Sequence, residues 1–342
     1  MMTKHLYAII SDIHGNYNAL LEVGRDARDL ARKQGFPAPE FVFLGDAVDY
    51  GPQPNEVMHW LARNKPKFSV IGNHDQAAIA PWYKKPYKEI SNDEWWPITL
   101  WTRLTLKQRY HEPIKSWPIR VQGENSLGDF AFFHSDVHGE HKAPKSDGRR
   151  AAQVLREMSV VCSQCAYALF GHSHFQSLYL CRKNSHCEKN LVRSIFAAPE
   201  DYGGRDEGFL PVNRWHEISL MTPSLIINPG GVGQPRHHAK QTPWRNDVRA
   251  SYMLLYVDDE AIHFQWRRIE YDIEGVVELL QSLEMPPWQS SSVKGKDILY
   301  DASLGQSRPQ QFSYFSEEEL DQLRRDLPKV THRLAQVLLY GG

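Results

Sequence analysis

From its N-terminus the chain alternates short apolar runs with amphipathic stretches. Residues 5–11 (HLYAIIS) read as a buried strand, and residues 16–34 then place Leu20, Leu21, Val23, Ala27, Leu30 and Ala31 at near-helical spacing. A second strand is predicted over 41–45 (FVFLG), a helix over 53–64 and a third strand over 67–72. Strands separated by helices of this length point to crossover units and a parallel sheet. The rhythm breaks over 81–118, where Trp82, Trp95, Trp96, Trp101 and Trp117 lie among several prolines; this reads as an insertion with its own helix near 98–110. Strand patterns then dominate: 129–134, 165–171, 176–182, 224–228, 251–257 and 260–269, the last two forming a hairpin about Asp258–Glu260. Residues 184–216 are polar and rich in Gly and Pro and read as a long loop or flap. Helices are predicted over 272–284 and 316–340, the second opening with Ser316 and Glu319 at capping-box spacing, and 286–313 as a linker wrapping the surface.

Composition narrows the classes. Of 342 residues 41% are apolar and 24% charged, which excludes wholesale disorder and collagen-like architecture. Forty Lys+Arg balance 41 Asp+Glu, for a net charge of −1. This argues against a general nucleic-acid coat and leaves room only for a local basic patch. Four cysteines do not make a disulfide framework in so long a chain, so a reducing compartment is expected. Apolar runs fall short of the ~20 residues that span a bilayer. Leu6–Ile10 is also too short for the hydrophobic region of a signal peptide, so a cytoplasmic protein with no membrane partner is expected.

Five short segments carry candidate chemistry, each where a predicted strand ends: Asp12-Ile13-His14-Gly15-Asn16, Gly45-Asp46-Ala47-Val48-Asp49-Tyr50-Gly51-Pro52, Gly72-Asn73-His74-Asp75, the lone His134, and Gly171-His172-Ser173-His174. Open α/β sheets place ligands at strand C-terminal ends. Taken singly, each segment is explained by the turn preferences of Asp, Asn and Gly. Jointly they bring carboxylates, an amide and imidazoles to successive strand ends, which is the donor chemistry of divalent cations. Two adjacent ions need a bridging ligand, which a carboxylate can supply. His172 and His174 share a face if their segment is extended. No cysteine joins the set, so it does not read as a structural zinc site.

With these motifs the chain resembles the calcineurin-like metallophosphoesterase superfamily, whose pattern runs Asp-x-His, Gly-Asp-x-x-Asp, Gly-Asn-His-Asp/Glu, a lone His and Gly-His-x-His. Tyr50-Gly51-Pro52 with Pro54-Asn55-Glu56, and the run Asn228-Pro229-Gly230-Gly231-Val232-Gly233-Gln234-Pro235-Arg236, resemble its bacterial and archaeal phosphodiesterase-like branch. The resemblance covers about residues 5–285. It implies a metallophosphoesterase domain over 1–285, interrupted by the insertion and the 184–216 loop, with 286–342 as a C-terminal linker and helix packing on the same domain. The implied fold is α/β, a four-layer α/β/β/α sandwich with an inserted segment.

Carried over by motif position, the resemblance implies that Asp12, His14 and His174 hold one ion, that Asn73, His134 and His172 hold a second, and that Asp46 bridges them. His74 would face substrate as a proton donor or phosphate contact. The implied cofactors are two divalent ions, Mn, Fe or Zn. The implied activity is hydrolysis of phosphodiester or nucleotide-type phosphate esters, with a phosphoprotein serine/threonine phosphatase, a dinucleoside polyphosphate hydrolase and a non-catalytic binding scaffold as alternatives. Three departures matter. Ser135 follows His134 where the family often has Gly, and His138 and His141 lie close enough to compete for its role. Tyr50 stands where the protein phosphatases carry a phosphate-gripping Arg. Asp49 stands where the phosphodiesterase branch often has Gly, which allows an Asp49–His74 pair.

Three weaker signals remain. Arg236, followed by His237, His238, Lys240, Arg245 and Arg249, is a candidate substrate-binding residue on an anion-facing rim, the alternative being a solvated basic loop. Cys162-x-x-Cys165 and Cys181-x5-Cys187 read as buried or spare thiol pairs, with a small zinc site or redox pair as the alternative. The tryptophans of 81–118 read as the insertion's small core rather than as a base-stacking platform.

Overall fold

The computed structural model describes residues 5–79, 83–84, 96–139, 142–144, 148–181, 192–203, 208–222, 224–234, 247–283 and 313–314. The predicted N-terminal crossovers are present. β1 (Tyr7–Ile10) leads through α1 (Tyr17–Lys33) to β2 (Glu40–Phe43), and α2 (Pro54–Asn64) leads to β3 (Phe68–Ser69), with the three strands parallel and adjacent. Asn16 caps α1 by accepting the Ala19 amide, and Pro54 opens α2, where its missing N–H costs nothing. The buried stripe of α1 (Ala19, Leu20, Val23, Ala27, Ala31) faces the sheet.

After β3 come α3 (Asn73–Ile79), β4 (Tyr83–Lys84), α4 (Trp96–Thr105) and α5 (His111–Lys115). The rest of the chain contributes β5 (Arg120–Gln122), β6 (Phe130–Phe133), α6 (Arg149–Val161), β7 (Tyr167–Phe170), β8 (Gln176–Cys181), β9 (Val192–Ala198), β10 (Phe209–Pro211), β11 (His216–Ser219), β12 (Ser224–Pro229), β13 (Ala250–Val257), β14 (Ala261–Ile269), α7 (Ile273–Ser282) and β15 (Ser313–Tyr314). One sheet has the order β11-β14-β13-β1-β2-β3 and the other β10-β9-β8-β12-β7-β6-β5, while β15 pairs with β4. The β13–β14 hairpin is antiparallel, with Val257 opposite Ile262 beside its turn.

The two sheets pack face to face, and strand alternation sorts the side chains into layers. Tyr7, Ile9, Val42 and Leu44 from the first sheet meet Phe130, Phe132, Leu169 and Ile227 from the second. The opposite faces are covered as well. Ala8, Ile10, Phe41 and Phe43 lie under α1, α2 and α7, and Ala131, Phe133, Ala168 and Phe170 lie under α6. The central strands are thus buried on both sides, which is why they read as unbroken apolar runs. The architecture is the expected four-layer α/β/β/α sandwich.

Four expectations change. Residues 184–216 are not one loop: β9, β10 and the first residue of β11 fall in them. Among these, β9 buries only one face for most of its length and carries Arg193 and Ser194, which dilutes its apolar signal. The helix α6 has a weak sequence signal because much of its buried face is small, Ala151 and Ala152 beside Val154, Leu155 and Met158. The inserted helix ends earlier than predicted, at Thr105, followed by a separate 3₁₀ turn at Gln108–Tyr110. The thiol-pair reading also gives way, since Cys162 and Cys165 are disulfide-bonded across the tight turn between α6 and β7, and Cys181 is disulfide-bonded too. The predicted linker over 286–313 and helix over 316–340 lie outside the described residues, apart from Ser313 and Tyr314. Among the described residues no helix is long and apolar enough to cross a membrane.

Candidate metal centre

The loops after β1 and β2 run together. The Asp12 amide donates to the Gly45 carbonyl (3.0 Å), and the Ile13 and His14 amides both donate to the Asp46 carbonyl (2.8 and 3.0 Å). The loop after β7 joins them, its His172 amide donating to both Asp12 carboxylate oxygens at 3.1 Å. This tight convergence bends the backbone unusually. Ten non-glycine residues among those described have positive φ, and seven of them are Asp12, His14, Asp46, Asp49, Tyr50, His172 and His174. Such conformations persist only where surrounding contacts over-determine them, and they concentrate at functional sites.

The expected ligands fall into two groups. Asp12, His14 and His174 offer donor atoms within 4.8 Å of one another, as do Asp46, His134 and His172. His14 Nδ1 lies 3.2 Å from the Val48 carbonyl, His174 Nδ1 2.6 Å from that of Gln234, and His134 Nδ1 2.7 Å from that of Leu44. A carbonyl can only accept, so each Nδ1 carries a proton, and in the neutral ring each Nε2 presents its lone pair inward. His14 Nε2 and His174 Nε2 then face each other at 3.3 Å, with Asp12 Oδ1 3.2 Å from the latter. Two lone pairs cannot bond each other, and their approach beside a carboxylate fits a cation. Imidazoles that bind metals characteristically donate their other N–H to a carbonyl in this way.

Asp46 stands between the groups, its Oδ2 3.0 Å from His134 Nε2 and 3.7 Å from His14 Nε2. Asn73 Oδ1 completes the second group, 3.1 Å from His134 Nε2 and 2.8 Å from His172 Nδ1. Burial by itself would raise the Asp46 carboxyl, but the imidazoles of His134, His74 and His14 hold it well below the usual carboxylate range. Burial likewise works against a charge on His134, yet the Asp46 carboxylate prevails and lifts that imidazole to about 9. A cation binding there must displace a proton from Nε2.

His74 stands apart from both groups. Its amide donates to Asp46 Oδ1 (2.9 Å), and its Nδ1 lies 2.7 Å from Asp49 Oδ2. The imidazole keeps 13% of its surface exposed, against 1% for the Asp49 carboxylate. Burial disfavours its charged form, but Asp46 and Asp49 together raise its pKa above the usual histidine value.

The profile of the calcineurin-like phosphoesterase family matches residues 6–176, half of the chain. The chain belongs to that family. An uncharacterized protein of Methanocaldococcus jannaschii is 28% identical to this phosphoesterase-family chain over 287 residues, covering 84% of it and 96% of the archaeal protein. Two solved structures share the fold. A metallophosphoesterase from Sphaerobacter thermophilus superposes with a TM-score of 0.62 at 24% identity, over 85% of this chain and 99% of its own. A hypothetical protein from Pyrococcus horikoshii does so with a TM-score of 0.60 at 14% identity, over 85% and 98%.

Of the residues singled out in the sequence, Asp12, His14, Asp46, Asp49, Asn73, His74, His134, His172 and His174 converge in this family member, whereas Arg236 lies outside the described residues. His138, an alternative to His134, is tied by its amide to the buried Asp136. The Tyr50 ring packs against those of His14 and His74, at centroid distances of 4.8 and 4.6 Å. Other contributors went unread in the sequence. Asp75, the last residue of the segment Gly72-Asn73-His74-Asp75, accepts the amides of Asp46 and Ala47 at 2.8 Å, Gly72 at 3.1 Å and Val48 at 3.3 Å, and so shapes the loop that carries Asp46. Asn228 donates to the Gly171 carbonyl (2.6 Å) and Ser173 Oγ (3.1 Å), which sets the His172–His174 turn. The Gly-rich turn after it lies against the Asp12 loop, the amides of Val232 and Gly233 donating to the carbonyls of Ser11 and Asp12 at 3.0 Å. The motif Asn228-Pro229-Gly230-Gly231 was the signal available for these contacts.

Proposed function

We propose that this chain is a metal-dependent phosphoesterase with a dinuclear site. Asp12, His14 and His174 would hold one divalent ion, Asn73, His134 and His172 a second, and Asp46 would bridge them. The observation that carries the reading is the inward convergence of three tethered imidazoles on carboxylates that stand at hydrogen-bonding or ion-pairing distance from them. Mixed imidazole and carboxylate donors suit Mn, Fe or Zn better than Ca. Ions of this kind supply Lewis-acid charge for phosphate oxygens and lower the pKa of an attacking water.

His74 is assigned the role of proton donor to the leaving oxygen. Asp49 holds the Nδ1 edge, which leaves Nε2 to deliver the proton, and the partial exposure of the ring gives it access to substrate. Asp46 and Asp49 favour the protonated ring that such a role needs. We favour phosphodiester or nucleotide-type esters over phosphoproteins. Tyr50 packs on His74 at the position where the protein phosphatases carry their phosphate-gripping Arg.

The test is an activity screen of protein reconstituted separately with Mn, Fe and Zn. It compares phosphomonoesters, linear and cyclic phosphodiesters and dinucleoside polyphosphates. About two ions per chain are expected, with turnover of a diester or nucleotide-type substrate that a chelator abolishes. A metal content near zero for all three metals, or two bound ions with no hydrolysis of any class, overturns the reading.

A further inference from the structure

The insertion 81–118 is assigned no role by the motifs, yet its helix α4 reaches the site. Thr99 and Thr102 stand three residues apart, on one face of the helix. Their side chains are 1% and 0% exposed. The Thr99 hydroxyl donates to Asp49 Oδ2 at 2.7 Å and the Thr102 hydroxyl to Asp49 Oδ1 at 3.2 Å. Oδ2 is the oxygen that meets His74 Nδ1, and Oδ1 also accepts the Tyr50 amide at 3.2 Å. Each oxygen of a buried carboxylate thus has two donors, and together they fix the plane in which it meets the imidazole.

A threonine within a helix commonly bonds back to the preceding turn. Thr105 does so, donating to the Trp101 carbonyl at 2.8 Å. Thr99 and Thr102 also carry their hydroxyls to Asp49. A hydroxyl offered to a buried anion strengthens as a charge-assisted bond, and its removal leaves part of that anion unsolvated.

We infer that α4 is a positioning element of the reaction: Thr99 and Thr102 orient the Asp49 carboxylate, which in turn orients His74. The inference rests on the proposed role of His74 as proton donor. Neither threonine touches substrate in this arrangement. Their effect passes through Asp49, so it appears only where a proton must be delivered.

Thr99→Val and Thr102→Val, singly and together, remove the hydroxyls while keeping the β-branched shape. Turnover and KM are measured on an alkyl phosphodiester, whose leaving group needs a proton, and on a nitrophenyl phosphodiester, whose leaving group does not. Metal content and thermal stability are followed in parallel. Each single variant is expected to lose about tenfold in kcat on the alkyl ester, the weight of one hydrogen bond to a charged group. Little loss is expected on the nitrophenyl ester, with KM and metal content retained. Thr99→Ser, which keeps the hydroxyl and loses only packing, is expected to restore the wild-type ratio of the two rates. In a His74→Asn background the valine substitutions are expected to cost nothing further.

A double valine variant with an undisturbed rate ratio overturns the inference. So does a loss equal for both esters, or a loss that persists undiminished in the His74→Asn background. Failure of the underlying reading looks different: His74→Asn would then itself leave the rate ratio unchanged, whatever the threonine variants do.

Discussion

Replacing Gly72 by alanine tests how closely the Asp46 carboxylate, proposed above as the bridge, is confined. A Cβ at this position stands 2.0 Å from Asp46 Oδ1 and 2.3 Å from the Asp46 amide nitrogen, where real contacts essentially never fall below 3.0 Å. The carboxylate oxygen or the residue 72 backbone must therefore give by 1.0 Å, the difference between 2.0 and 3.0 Å. Asp46 Oδ1 also accepts the His74 amide at 2.9 Å, so the same movement strains that bond. Overpacking of this kind costs about 1–3 kcal/mol of stability. A misplacement of about 1 Å at a reacting centre costs roughly 100-fold in rate. The expected result is a folded Gly72→Ala protein with reduced metal content and turnover of a nitrophenyl diester lowered by about two orders of magnitude. Gly123→Ala supplies the comparison. Its Cβ would clash as severely, 2.2 Å from the Leu127 carbonyl oxygen, but in the β5–β6 connection, at the end of β6 remote from His134. It should lose stability and keep its metal. Thermal unfolding, elemental analysis and turnover on both variants decide the matter. Wild-type metal content and turnover in Gly72→Ala would refute the argument, as would an equal loss of metal in Gly123→Ala.

Asp46→Asn should lower ion content at both groups, whereas His174→Ala should affect mainly one, a difference that elemental analysis of reconstituted protein reads directly. His74→Asn should keep both ions and lower turnover by roughly 10²–10⁴-fold, with a smaller loss for a nitrophenyl ester than for an alkyl ester. Asn228→Ala should lower the melting temperature of the metal-free protein, because it leaves the buried Gly230 amide without its side-chain acceptor, at about 1–3 kcal/mol, and takes one of two donors from the Gly171 carbonyl, which keeps the Ser173 amide. The same variant should weaken metal binding through the loosened His172–His174 turn, measurable by titration calorimetry.

The central strands were legible in the sequence because both of their faces are buried, so that FVFLG and DFAFF announce themselves as apolar runs. Strands nearer the sheet edges were harder to read. In β11 the pattern His216-Glu-Ile-Ser219 alternates half-buried with exposed positions, and no apolar run marks it. The candidate ligand segments could be recognised because carboxylate and imidazole residues beside glycines at strand ends form a compact pattern along the chain. What supports them is not compact in that sense. Thr99 and Thr102 lie 50 and 53 residues beyond the Asp49 they contact, on a helix whose tryptophans draw the eye first. Asp75 is visible as the last residue of Gly72-Asn73-His74-Asp75, but only the folded loop shows its carboxylate turned under residues 46–48.

The tethers of His14, His134 and His174 have a bearing on how this protein can vary. Each imidazole is held through a main-chain oxygen, at Val48, Leu44 and Gln234. Every amino acid carries that oxygen, so the role places no demand on the side chain at any of the three positions. A mutational scan would therefore register residues 44, 48 and 234 by their packing or surface character alone and report nothing of their hold on the histidines. Related chains are free to differ there while keeping the same ring orientations. Only a change in the course of the backbone, through an inserted or deleted residue or a proline that redirects the turn, can reach those contacts.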